Sequence, residues 1–322
     1  MKEALLVRIG GLGDLLVVLP SIRLVRRKYP CARLTLVCRR EYGALLRKRG
    51  VVDEIIPEDS RLLTPFFSAD ARANMDFSAW LRSFDLIIGW SHSPKGMPAD
   101  LSPTGEERPS AVRVIRADPL KSRQLSRSFF SQTAEAIGES RALSIADLAL
   151  LPAAESQGSG TSTLAENGVK KERPVVVHPG SGSPSKRWPL QNFLRIISRL
   201  GEHGVPGVLV TGEAEEAMEA EIENAALPPG WEWARRPNLS NLALLLGESR
   251  LYLGNDSGVT HLAAACGADV IALFRRDLVT AWAPLGKVEV HVAGSVDEIS
   301  VDAVWAAVAS RLPNFSADRH NC

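Results

Sequence analysis

ALLVRIGGLGDLLVVLP, residues 4–20, runs from a short apolar segment into Gly10-Gly11-Leu12-Gly13-Asp14 and on to a second apolar segment ending in proline. ALLVRI (4–9) reads as a strand buried on both faces, and LLVVLPSIRLVRRK (15–28) as a helix. Strand, glycine turn and helix open a dinucleotide-binding unit, so the question is whether this turn holds a cofactor. The fingerprint G-x-G-x-x-G, begun at Gly11, meets Leu16 where its third glycine should stand. Asp14 follows Gly13, where a pyrophosphate would approach, and like charges repel there. The turn therefore argues against a nicotinamide cofactor. Two readings of Asp14 remain: a general base facing a ligand, or a cap on a helix beginning at Leu15.

Working outward, RLTLVC (33–38), VVDEIIP (51–57), FDLIIGW (84–90) and AVRVI (111–115) continue as short strands between helical stretches. Ser91-His92-Ser93-Pro94 forms a loop at the C-terminal end of one of them. PAAESQGSGTSTLAENGVKKERP (152–174) is poor in large apolar groups and reads as an interdomain linker. The alternation then restarts. PVVVHPG (174–180), GVLVTG (207–212), RLYLGND (250–256) and DVIALF (269–274) are strands, with helices over 190–204, 241–249, 259–267 and 295–312. The expected fold is α/β: two Rossmann-like domains, 1–160 and 161–322, with parallel sheets facing a central cleft. Ligands of such sheets sit beyond the carboxyl ends of the strands.

The formal net charge of +1 over 322 residues excludes polyanion binding by overall charge. The halves differ: residues 1–150 carry 23 Lys/Arg against 17 Asp/Glu, and residues 151–322 carry 15 against 20. The excess is densest between Arg23 and Arg49, where Glu41 stands alone among ten Lys/Arg. Such a stretch is either a face for an anionic acceptor or membrane surface, or a solvated helix face. Cys31, Cys38, Cys266 and Cys322 form no C-x-x-C pair and no zinc spacing, with Cys38 and Cys266 expected in the core. MKEALLVRI has no signal-peptide pattern, and no apolar run approaches about 18 residues.

Two stretches of the second half carry chemistry. HPGSGSPSKRWP (178–189) places a Gly/Ser turn after a strand, then Lys186, then Trp188-Pro189 opening a helix. Backbone N–H groups of such a turn cradle phosphate, and a lysine adds a mobile positive charge. GNDSGVTHLAAACG (254–267) ends a strand in Asp256-Ser257-Gly258 and begins a small-residue helix at once. Its first N–H groups and positive helix end suit a phosphate, with His261 one turn inside. The plainer readings are an N-cap for Asp256 and a half-buried structural histidine for His261.

Asp14, Lys186 and the 256–261 turn, in this order, resemble glycosyltransferase family 9, the ADP-heptose:lipopolysaccharide heptosyltransferases, which have the GT-B fold. The likeness runs from LLVRIGGLGDLLVVLPSI through DLIIGWSHS, HPGSGSPSKRWPLQNF and VTGEAEEA to NLSNLALLLGESRLYLGNDSGVTHLAAACG. It implies that Asp14 takes the proton of an acceptor hydroxyl and that Lys186 contacts donor phosphates. Ser181 and Gly182 fall in the turn that approaches the same phosphates. Glu216 matches an acid on the nucleotide ribose, in a loose register with Glu213 and Glu215. Asp256, Ser257, Gly258 and His261 match the diphosphate turn, and Pro237, Asn238 and Leu239 lie where adenine is gripped. Gly11, Gly13 and His92 are expected on the acceptor side; Ser91 and His92 read either as lining that side or as a surface loop, and Arg61, Lys95, Arg123 and Arg127 are candidate cations for acceptor phosphates.

The resemblance thus implies an inverting transferase moving a heptose or related sugar from an ADP-sugar, a substrate and not a cofactor, to a lipopolysaccharide core. The partners implied are that donor and an anionic glycolipid acceptor, with no nucleic acid. The place implied is the cytoplasm, at the inner face of the membrane. No D-x-D motif occurs, so no metal is expected. One departure stands out: Arg275-Arg276-Asp277 replaces the family's Gly-Pro after DVIALF. The two arginines are an added donor-phosphate contact, the mark of a changed donor, or solvated surface. The alternatives to the main reading are another nucleotide sugar with a different glycan acceptor, and a nucleotide-binding member without transfer activity. The resemblance also leaves open that the helix over 295–312 crosses back onto the first domain.

Overall fold

The computed structural model describes residues 1–67, 75–92, 111–150 and 173–312; Lys95, nearly all of the expected linker and the tail with Cys322 lie outside the described residues. The chain divides into two compact units, Met1–Leu150 with Thr280–Trp282, and Leu151–Val279 with Ala283–Cys322.

In the first unit β1 (Glu3–Val7), β2 (Arg33–Cys38), β3 (Glu54–Pro57), β4 (Leu86–Ser91) and β5 (Ala111–Arg116) form a parallel sheet in the order β3-β2-β1-β4-β5. Its helices are α1 (Leu12–Lys28), α2 (Arg40–Lys48), α3 (Met75–Arg82), α4 (Leu125–Ala136) and α5 (Ile145–Leu148). Side chains alternate across a strand, so Leu5 and Val7 share a face, packing with Val37, Ile87, Leu81 and Phe84. Helix α1 packs against α4 and α5.

Helix α1 begins at Leu12, earlier than the apolar run suggested. Gly11 takes the N-cap with extended φ −74° and ψ 174°. Asp14 is therefore not the cap itself but the third helical residue. Its Oδ2 accepts the Gly11 N–H at 2.9 Å, one half of a capping box. Pro20 lies well inside the helix and leaves the Leu16 carbonyl without its ordinary donor.

Half of the ten cations in the basic stretch are spent on ion pairs. Arg26 meets Asp53, Arg27 meets Asp147, Lys28 meets Glu139, Arg33 meets Glu54 and Arg39 meets Glu58. Sequence distance hid these acids. Arg40, Arg47 and Lys48 are exposed and make no ion pair among the described residues. Cys38 is buried, which pushes its thiol up to about 12, and Cys266 is buried too.

The second unit holds β6 (Val175–His178), β7 (Gly207–Thr211), β8 (Trp231–Arg235), β9 (Leu251–Asn255), β10 (Val270–Arg275) and β11 (Val288–Ala293). They form a parallel sheet in the order β11-β10-β9-β6-β7-β8. Its helices are α6 (Leu190–Glu202), α7 (Glu219–Asn224), α8 (Leu239–Glu248), α9 (Gly258–Ala265), α10 (Arg276–Trp282) and α11 (Val301–Ala309). Strands β8 and β11 and helices α3, α4, α5, α7 and α10 were not legible in the sequence. The two strands are edges, half-exposed and mixed in polarity, so neither presents a continuous apolar run. The helix expected over 295–312 is broken: a 3-10 turn at Val296–Glu298 precedes α11, whose N-cap Ser300 accepts from the Ala303 N–H. Val304, Ala307, Val308 and Leu312 join Val175, Phe193 and Ile271 in the second unit's core.

Both sheets have a point where the chain reverses direction across the sheet, between β1 and β4 and between β6 and β9. Loops diverge there at the carboxyl ends of neighbouring strands and leave a crevice for ligands.

Candidate functional site

The crevice of the first unit is built on Arg8, the residue after β1. It is 2% exposed. Its Nε donates to the Asp14 carbonyl at 2.9 Å and its Nη2 to Asp14 Oδ1 at 2.8 Å. Nη1 donates to the Trp90 carbonyl of β4 at 3.0 Å, and Nη2 lies 3.1 Å from His92 Nδ1. The guanidinium also sits 5.5 Å from the centre of the Phe129 ring. Burial pulls the Arg8 pKa down, against the Asp14 charge that raises it. His92 is lowered by burial and by Arg8, with Asp14 opposing. Asp14 is thus held at both oxygens, Oδ1 by Arg8 and Oδ2 by the Gly11 N–H. Gly10 has φ +135°, and a Cβ there would lie 2.7 Å from Asp14 Oδ2, so only glycine fits beneath the carboxylate. Its N–H points to Glu58 Oε2 at 3.4 Å. Asp14, Gly11 and His92 come together, with Gly13 in the first turn of α1. Ser91 is the buried last residue of β4. Arg61, Arg123 and Arg127 are exposed; Arg127 lines an open hollow of about 510 Å³ with Glu135, Glu139 and Arg141.

In the second unit the loop after β6 and the turn after β9 are stitched together. Ser181 Oγ donates to the Asp256 carbonyl at 2.7 Å. Asn255, fully buried, accepts the Trp188 N–H at 3.0 Å and donates to the Pro179 carbonyl at 2.8 Å. Lys186 Nζ lies 2.8 Å from Asp256 Oδ2. Arg187 Nε donates to the Ser181 carbonyl at 3.0 Å. The helix cap is Ser257, not Asp256: its Oγ accepts the Thr260 N–H at 3.3 Å. That bond satisfies one donor of the first turn of α9, while Gly258 and Val259 have no intrahelical carbonyl to bond. Thr260 also bonds Tyr252 Oη, 3.0 Å away, beneath the turn. His261 is buried in that first turn, more deeply than half-buried. Gly182 is exposed and faces open space.

The acidic stretch after β7 splits by burial. Glu216, the acid the resemblance points to, has a side chain 75% exposed and lies 3.5 Å from Arg236 Nη2. Glu215 is buried, accepts the Gly212 N–H at 2.7 Å and lies 3.6 Å from His178 Nε2. A Cβ on Gly180 would lie 2.0 Å from Glu215 Oε1. Burial pushes the Glu215 carboxyl up, but His178, the Gly212 N–H and Arg187 together draw it below its usual value. Asn238 caps α8, its Oδ1 taking the Asn241 N–H at 2.9 Å between Pro237 and Leu239. Arg275 is gripped by Asp277 through Nε at 3.0 Å and Nη2 at 2.7 Å, and its Nη1 donates to Ser185 Oγ at 3.2 Å. Arg276 is exposed at the start of α10.

Arg8 and Asn255 were missed by sequence reasoning. The signal for Arg8 was a lone charge at the end of an apolar strand run, and for Asn255 an amide just before the Asp-Ser-Gly turn. Among the described residues no three His, Cys, Asp or Glu are grouped to hold a metal ion. Nor is any described helix long and apolar enough to cross a membrane.

Comparisons with known proteins bear on the family and the fold. The family model for glycosyltransferase family 9 (heptosyltransferase) matches residues 127–300. Lipopolysaccharide heptosyltransferase 2 of Escherichia coli K12 is 27% identical over 125 residues, 37% of this chain and 36% of that protein. The chain spans about a third of the length of the curated relatives it matches. E. coli heptosyltransferase WaaC, solved with ADP, superposes with a TM-score of 0.71 at 16% identity, over 97% of this chain and 100% of that one. E. coli ADP-heptose lps heptosyltransferase II gives 0.67 at 20% identity, over 97% and 98%. At such identities the structural likeness is one of fold, and it covers both α/β units. With the family model spanning more than half of the sequence, the chain belongs to glycosyltransferase family 9, the heptosyltransferase family.

Proposed function

We propose that this protein transfers a heptose, or a closely related sugar, from an ADP-sugar to a lipopolysaccharide-core acceptor, with inversion and without a metal ion. The observation that carries the reading is the stitched phosphate cradle of the second unit. Ser181, Asn255 and the Lys186–Asp256 pair hold the Gly/Ser loop against the N-terminus of α9. That arrangement offers backbone donors, a helix dipole and a lysine to one diphosphate. Family membership supports the same reading, as do the names of the relatives.

In the proposed reaction the acceptor oxygen attacks the anomeric carbon opposite the leaving diphosphate. The new C–O bond forms as the bond to the phosphate oxygen breaks, and its electron pair leaves with ADP. Asp14 takes the acceptor proton. Lys186 and the N–H groups at Ser257 and Gly258 stabilise the growing negative charge, the part played by a divalent ion in other sugar transferases. His261 and Gly182 belong to the phosphate side and Glu216 and Asn238 to the nucleoside side. Gly11, Gly13 and His92 line the acceptor side. The acceptor being an anionic glycolipid, the protein works at the cytoplasmic face of the inner membrane, where the exposed Arg40, Arg47 and Lys48 suit an anionic surface.

Calorimetric titration with ADP, UDP, GDP and NAD tests the donor. Selective ADP binding that weakens in Lys186→Ala supports the reading, and turnover of ADP-heptose that vanishes in Asp14→Ala supports the base. Full turnover in Asp14→Ala removes that assignment. A second reading, a different nucleotide sugar, rests on Arg275, whose bond to Ser185 brings another cation to the lysine loop. Preference for UDP or GDP in the same titration would establish it.

A further inference from the structure

Arg8 does more than neutralise Asp14. A guanidinium only donates hydrogen bonds. His92 Nδ1, 3.1 Å from Arg8 Nη2, is therefore the acceptor, and a neutral imidazole must carry its proton on Nε2. Asp14 Oδ1 stands 3.5 Å from the same Nδ1, and Arg8 Nη2 bonds both groups at once. The His92 side chain is 32% exposed, and its Nε2 makes no hydrogen bond among the described residues. Arg8 itself is locked by the Trp90 carbonyl, the Asp14 carbonyl and the Phe129 ring, so it cannot turn away.

We propose that Arg8 is a positioning residue that fixes His92 as the Nε2–H tautomer, so that the first unit presents a fixed N–H donor, on the ring edge turned away from Asp14, to an oxygen of the acceptor sugar other than the one Asp14 deprotonates. Nδ1 is the ring nitrogen that faces Arg8 and Asp14, so Nε2–H, across the ring, reaches a neighbouring hydroxyl or ring oxygen of the same sugar. Holding that second oxygen sets the orientation of the sugar, and with it of the hydroxyl that Asp14 deprotonates. The inference rests on the proposed reading only in assigning the acceptor sugar to this unit. The tautomer follows from the contacts alone.

The test is nitrogen NMR of the full chain labelled at histidine. In the wild type, His92 should show an unprotonated Nδ1 and a protonated Nε2. A protonated Nδ1, or an even mixture of tautomers, overturns the proposal. Arg8→Met should release the mixture; should that variant not fold, Arg8→Lys, which keeps the charge on Asp14 but loses the planar fork, should show the same release in weaker form. An unchanged His92 spectrum in a folded Arg8 variant overturns the positioning role. Titration with a de-acylated, heptose-free lipopolysaccharide core as probe should shift the His92 Nε2–H resonance. His92→Phe should bind that probe about tenfold more weakly, with His92→Gln restoring most of the loss through its amide N–H. Equal binding by the wild type and His92→Phe overturns the donor role. These are binding and spectroscopic readings, so a failure of the donor assignment appears separately, as wild-type protein that binds the probe but transfers no heptose.

Discussion

Lys186 Nζ lies 2.8 Å from Asp256 Oδ2, so the lysine of the Gly/Ser loop is already engaged by the acid of the turn beside it. The carboxylate is buried and the lysine partly exposed. Under the proposed reading, a phosphate arriving at this loop meets an ion pair and not a bare positive charge. Removing Lys186 then has two separable consequences.

Lys186→Ala should weaken ADP binding by about 10- to 100-fold, the worth of a hydrogen bond to a charged group, read by calorimetry. It should also lower the thermal midpoint, because Asp256 is left buried without its partner. Adding Asp256→Asn to that variant should recover the midpoint but not the affinity.

Asn255 bridges two backbone groups that have no water to turn to, the Trp188 N–H and the Pro179 carbonyl. Asn255→Ala should cost about 2–4 kcal/mol, one desolvation penalty for each orphaned group. Urea unfolding measures it, and a loss under about 1 kcal/mol would mean that the loop closes by other contacts.

Gly180 and Glu215 compete for one volume, since a Cβ at 180 would lie 2.0 Å from Glu215 Oε1. Gly180→Ala should destabilise by about 1–3 kcal/mol as an overpacked site. In a Glu215→Ala background the same change should cost at least about 1 kcal/mol less, and a double-mutant cycle reads that coupling.

The Glu215 carboxyl is held below its usual value, so its contribution to stability is present above the unfolded carboxylate pKa of about 4.3 and is lost as pH falls through the folded value. Glu215→Gln should therefore flatten the decline in stability below about pH 5. Urea midpoints taken from pH 7 to pH 3 check it; an unchanged acid slope would show that the pair with His178 contributes nothing.

Local sequence determined the alternation of strands and helices, because fully buried parallel strands such as ALLV and VVVH must be continuously apolar and glycine turns must end them. It also determined the two turns after β6 and β9, whose Gly and Ser residues lie close together in the chain. The edge strands β8 and β11 stayed hidden because half-exposed strands mix polar and apolar residues. Tertiary structure alone decided which Glu of GEAEE is buried, since a 3-10 turn, not a helix, sets that register. It alone spent the basic stretch of α1 and β2 on Asp53, Asp147, Glu54 and Glu139. And it alone joined Arg8 to His92, residues 84 positions apart that become neighbours because β1 and β4 pair in parallel and end side by side.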